Sequence, residues 1–98
     1  MKMLVVAIHD NAVGAFMPLT CMRSKGEAIR AFSDNVNSEG SNAAKYYADY
    51  ALYHLAEYDD VSGVLTPLKE PTRIISGFEV KTDDVFPPEK EVKDRRPM

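Results

Sequence analysis

Ninety-eight residues are enough to enclose one hydrophobic core and too few to divide into two domains. An apolar fraction of 45% and a charged fraction of 28% match the globular average, which excludes a chain disordered throughout, and no apolar run nears the roughly 20 residues of a membrane span. Twelve Lys and Arg against fifteen Asp and Glu leave a net charge of −3, which argues against nonspecific coating of phosphate backbones by a monomer while leaving room for a local basic patch.

Met3 to Ile8 is a short, β-branched apolar run closed by Asp10 and Asn11, the pattern of a central strand ending in a turn. Lys2 is the only charged residue ahead of it, so the start does not read as a signal peptide. After Gly14, the segment Ala15 to Leu19 contains Pro18, which donates no hydrogen bond to a ladder. An edge strand or loop follows, returning along the first strand as a loose hairpin. The lone Cys21 has no intramolecular partner and reads as a small apolar filler.

Ser24 with Glu27 three residues on has capping-box spacing, and Ala28, Ile29, Phe32 and Val36 then recur with helical period. The spacing predicts a helix over Lys25 to Val36, with Ile29, Phe32 and Val36 laid on a sheet. Asn37 to Asn42, polar with one glycine, is a loop.

Ala43 to Tyr58 satisfies two periods at once. Ala44, Tyr47, Ala48, Ala51, Leu52, Leu55 and Tyr58 form a helical stripe, whereas alternation from Tyr50 to Tyr58 describes a strand. Aromatic content and the turn-like Asp59-Asp60-Val61-Ser62-Gly63 favour a strand over Tyr50 to Tyr58, preceded by a turn of helix over Ala43 to Tyr47. Val64 to Thr66 resumes a strand until Pro67, and Arg73 to Val80 reads as another, bent or bulged at Gly77. Lys81 to Met98, with three prolines and balanced charge, reads as an extended or disordered tail.

The expected fold class is therefore α+β. A small antiparallel sheet of 3–5 strands carries one main helix on one face, as a single domain over residues 1–80, with a charged Pro-containing tail over residues 81–98.

The sequence arranges no nucleophile, base or cofactor motif, and neither His9 nor His54 has neighbours at metal-ligand spacing. Both histidines read as structural, and Asp59-Asp60 as turn residues. No enzymatic activity, metal or cofactor is expected. Five tyrosines within thirteen residues are the most suggestive feature. Tyrosine rings stack on unpaired bases, so Tyr46 and Tyr47, with Arg23, Lys25, Arg30 and Lys45 for phosphate contacts, form a candidate nucleic-acid site. The competing reading is that tyrosines fill a core edge or an interface between copies, assigned here to Tyr50, Tyr53 and Tyr58.

Four pieces in order carry a family resemblance: the amino-terminal strand, Gly14-Ala15-Phe16-Met17-Pro18, Ala28-Ile29-Arg30-Ala31-Phe32, and Asp49-Tyr50-Ala51-Leu52-Tyr53-His54-Leu55-Ala56-Glu57-Tyr58-Asp59 leading into Gly63. Together they resemble the small nonstructural protein of gokushovirus-type microviruses, bacteriophages with circular single-stranded DNA. The resemblance implies a product made in the host bacterial cytoplasm and left out of the virion. It also implies a role in genome replication and packaging, through single-stranded DNA or the replication machinery as partner. Arg30 is the basic residue inside a matching piece. The alternative is an oligomeric adaptor, expected as a homodimer, that docks on a phage replication or assembly protein without touching DNA.

Overall fold

The computed structural model describes residues 1–82. Its centre is β1 (Lys2–Asp10), which pairs antiparallel with β4 (Tyr50–Asp59) along its whole length. On its other side β1 is flanked by two short strands, β2 (Ala15–Phe16) opposite His9 and Asp10, and β3 (Thr20–Met22) opposite Leu4 to Val6. The far edge is β5 (Leu65–Ser76), paired antiparallel with β4. The five-stranded sheet therefore matches the expected architecture.

The loose hairpin after β1 forms as read, with Met17 N–H donating to the Ile8 carbonyl at 2.7 Å. Pairing lapses around Pro18 and resumes in β3, which the periodicity did not announce. β3 also corrects the reading of Cys21: it stands on an outer strand and is exposed rather than packed as filler.

Helix α1 (Lys25–Val36) has the predicted bounds because Ser24 caps it, its hydroxyl accepting the Glu27 N–H at 3.0 Å. Its buried stripe is Ala28, Phe32 and Val36, spaced i, i+4, i+8. Ile29 is only partly covered, so Ala28 takes the place expected of it. That stripe packs on Val6, Tyr50 and Leu52, with Leu4, Ile8, Met17 and Met22 at its margins.

The ambiguous stretch resolves into short helix α2 (Asn42–Lys45), a 3-10 turn (Tyr47–Asp49) and then β4. The strand reading was correct, and the helical turn covers the predicted place. The β4–β5 connection closes through Asp59 N–H to Val64 O at 3.0 Å and Gly63 N–H to Asp59 O at 2.7 Å. Gly63 adopts a φ of 77°, which a side chain disfavours.

Two strands expected at Val64–Thr66 and Arg73–Val80 are instead one irregular edge strand. β5 runs through Pro67 and Pro71, and its register jumps from Pro67 opposite Ala56 to Thr72 opposite His54. An edge strand tolerates proline because one side of its backbone has no ladder partner. β5 ends earlier than expected, at Ser76, and residues Gly77–Val80 form helix α3. A capping box starts it: Ser76 Oγ accepts the Glu79 N–H, and the Glu79 carboxylate accepts the Ser76 N–H at 2.8 Å. The tail expected over Lys81 to Met98 lies, from residue 83 on, outside the described residues.

Candidate nucleic-acid interface

The six residues selected for nucleic-acid contact fall into two groups. Arg23 lies just ahead of α1, Lys25 at its start and Arg30 in its middle. Lys45, Tyr46 and Tyr47 lie past its other end, where Ser41 Oγ donates to the Asn35 carbonyl at 2.8 Å and ties α2 to the last turn of α1. A twelve-residue helix is about 18 Å long, so these are separate surfaces.

In the first group, Glu27 folds back on Arg23, accepting its backbone N–H at 2.7 Å and its guanidinium at 3.4 Å. The Arg23 backbone N–H, and then its side chain, hold the Glu27 carboxyl below its ordinary pKa. Arg23 therefore presents a charge already partly answered, beside a shallow depression lined by Ser24, Gly26, Glu27 and Arg30. Lys25 and Arg30 are exposed.

The second group gains partners from the far end of the chain. The Tyr47 ring lies 6.2 Å from that of Phe78, centroid to centroid, with 34° between planes. Lys81 Nζ stands 5.2 Å from the Tyr47 centroid, and Lys45 Nζ 5.4 Å from that of Tyr46, both within cation–π range. Phe78 is 72% exposed and Tyr46 46%. The acid nearest in sequence, Glu79, is engaged by Ser76 and by Arg73, whose Nη1 donates to it at 3.0 Å. Tyr47, Phe78 and Lys81 thus meet at one corner of the molecule, and the pair Tyr46 and Lys45 adjoins it through the sequence neighbours Tyr46 and Tyr47.

Phe78 and Lys81 were not selected from the sequence, because a strand reading of Arg73 to Val80 made Phe78 a sheet residue and left Lys81 in the tail. The signal was present in Ser76-Gly77-Phe78-Glu79, which has the same capping spacing as Ser24 and Glu27.

The three interface tyrosines also separate. Tyr50 is 5% exposed and belongs to the core with Phe32 and Leu52, so it offers no surface for a partner; burial, with a smaller push from Asp10, raises its hydroxyl pKa. Tyr53 is on the opposite face of the sheet from α1, edge-on to Phe16 at 5.4 Å and to His9 at 5.9 Å. Tyr58 is paired with Met3 on that same face. The histidines have local partners: His9 Nδ1 is 2.8 Å from Asn11 Oδ1, and His54 Nε2 is 3.0 Å from the Ala56 carbonyl. Asp59 Oδ1 accepts the Val61 N–H at 2.9 Å, as a turn residue does.

Among the described residues no group of three His, Cys, Asp or Glu side chains converges as a metal site. A cleft of about 310 Å³ between α1 and the break at Pro18 is lined by apolar residues with Thr20 and Asn35, none of them ionisable. No described helix is long and apolar enough to cross a membrane.

No curated protein and no solved structure matches the chain. The family model described as Phage ORF5 protein matches residues 3–80, from the second residue of β1 to the end of α3. The described domain is therefore a bacteriophage protein: the chain belongs to the Phage ORF5 protein family.

Proposed function

We propose that this phage protein is a non-enzymatic accessory factor of the gokushovirus-type microvirus kind, acting in the host bacterial cytoplasm on genome replication or packaging by binding single-stranded DNA. The observation that carries the reading is the corner formed by Tyr46, Tyr47 and Phe78 with Lys45 and Lys81. Exposed rings beside ammonium groups match the chemistry of unpaired bases on a phosphate backbone. A buried strand interior has no use for a phenylalanine this exposed, whereas a stacked base removes it from water.

Arg30, together with Arg23 and Lys25, offers a rival surface on α1. A mobility shift of a labelled single-stranded oligonucleotide at low and moderate salt tests the proposal and separates the surfaces. Phe78→Ala weakens the complex if the corner is the site, and Arg30→Ala does so if α1 is. A wild-type protein that shifts no oligonucleotide even at low salt refutes the DNA reading.

The adaptor reading has one observation in its favour, the net charge of −3, which suits a protein partner better than a polyanion. Its test is capture of a phage replication or assembly protein by the full chain under conditions where no oligonucleotide binds.

A further inference from the structure

The sheet has two faces of opposite character. α1 covers the one that carries Val6, Leu52 and Tyr50. On the other, register brings His9 beside Phe16, Ala7 beside Tyr53, Met3 beside Tyr58 and Tyr58 beside Leu65, with no helix over them; at its centre Val5, Ala7 and Ala51 are already buried within the single chain, so the side chains it offers are those around them. Of the acidic strand residues, Asp10, Glu57 and Asp59 are paired with Tyr50, Leu4 and Lys2 and so belong to the helix side, while Glu70 lies in the unpaired stretch of β5 between Pro67 and Thr72. Among the paired positions of the open face there is no carboxylate, and the one cation, Arg73, is bridged to Glu79 at 3.0 Å. Phe16 and Leu65 are 42% and 56% exposed, near opposite corners of this face.

We infer that this open face is where two copies of the chain meet, sheet against sheet, in a twofold dimer. Charge selects the occupant. The molecule is net negative, so two copies meet with least repulsion through a face whose paired strand positions carry no carboxylate, and this face meets that condition. A DNA strand, by contrast, needs free cations, and the paired positions of the face supply only Arg73, already bridged to Glu79.

Area agrees. Four strand positions about 4.8 Å apart and about 27 Å long project roughly 500 Å² per copy, and side-chain relief brings two copies close to the ~1,200–2,000 Å² of specific interfaces. The edge-to-face cluster of His9, Phe16 and Tyr53 holds its rings in fixed orientations before contact, which lowers the entropy lost on association. The basic aromatic corner is formed by α2, α3 and the 3-10 turn rather than by this face, so a dimer leaves both corners free.

Light scattering coupled to size-exclusion chromatography of the full chain, without DNA, tests the inference across a concentration series. The expected result is a dimer for wild type and a monomer for Phe16→Glu and for Leu65→Glu, with far-UV circular dichroism unchanged. Because the two positions are exposed and far apart, either variant decides the matter if the other fails to fold. Val61→Glu, in the exposed β4–β5 turn, stays dimeric. A wild-type monomer at all concentrations overturns the inference, as does a dimer that survives both substitutions. A monomer whose oligonucleotide binding is lost with Phe16→Glu also overturns it and gives the face to DNA.

Discussion

Asn37, the residue that closes α1, donates its side-chain amide to the Val80 carbonyl at 3.0 Å, across 43 positions of sequence. The same amide donates to the Ser33 carbonyl at 2.8 Å, and the Asn37 Oδ1 accepts the Thr82 N–H at 2.9 Å. One carboxamide therefore ends the main helix and fixes α3 beside it, holding Phe78 and Lys81 near Tyr47. Asn37→Ala leaves the part-buried Val80 carbonyl without its partner, while the Ser33 carbonyl keeps the backbone N–H of residue 37, at a cost of about 1–3 kcal/mol. For a domain of this size the melting temperature falls by roughly 4–8 °C per kcal/mol. Amide exchange at Val80 to Thr82 accelerates while β1 and β4 stay protected. An unchanged melting point refutes the clamp.

How much of this was legible in sequence follows from where the information is local. β1 and α1 were readable because a β-branched run and a Ser24–Glu27 cap declare themselves within a few residues. The Ala43 to Tyr58 stretch was readable only through composition and its turn, since both periods fit, and tertiary packing of Tyr50 and Leu52 beneath Phe32 decides it. Proline in a strand pattern suggested a break at Pro67, but an edge position absorbs it, and edge position is a property of the whole sheet. Face assignment failed most where one element contributes to two surfaces: Tyr50 and Tyr53 are three residues apart yet lie on opposite sides of the sheet. The corner joining Tyr47, Phe78 and Lys81 was invisible because it depends on how two short helices meet.

Gly77 and Gly26 provide opposite tests of backbone space. A Cβ on Gly77 meets the Tyr47 carbonyl oxygen at 2.2 Å, a contact that no rotamer change relieves, whereas one on Gly26 finds only Ser24 Oγ at 4.0 Å. Gly77→Ala forces α3 away from the 3-10 turn and destabilises the domain, and it weakens any ligand held by Phe78 and Tyr47 together. Gly26→Ala, in α1, stabilises by about 0.5–1 kcal/mol through lower unfolded-chain entropy. Denaturant midpoints of the two variants should move in opposite directions; a shared direction contradicts the geometry.

Acid sensitivity should come from the capping carboxylates. The Glu79 carboxyl is held below its ordinary value of 4.5, first by the Ser76 backbone N–H, then by the Ser76 hydroxyl and Arg73. Glu27 is lowered in the same sense by Arg23, and Asp59 chiefly by the Val61 N–H. A carboxyl with a depressed folded pKa contributes stability above its unfolded pKa, and loses it as pH falls through the folded one. Melting temperature should therefore be level from about pH 5 to about pH 8 and decline below that range. Glu79→Gln, which keeps the shape but not the charge, should make that decline shallower, and an identical pH profile argues against Glu79 as a contributor.

Salt is the sharpest probe of the corner itself. Each phosphate neutralised by a lysine contributes about −0.7 to the slope of log affinity against log salt for single strands, so Lys81→Ala and Lys45→Ala should each flatten the slope by roughly that amount. Phe78→Ala should lower affinity by about 1–3 kcal/mol, roughly 5- to 150-fold, and leave the slope unchanged, because stacking releases no counterions. That division between slope and intercept follows from the separate placement of rings and ammonium groups around Tyr47. Equal effects of all three substitutions on the slope would mean that Phe78 acts by positioning Lys81 rather than by meeting a base.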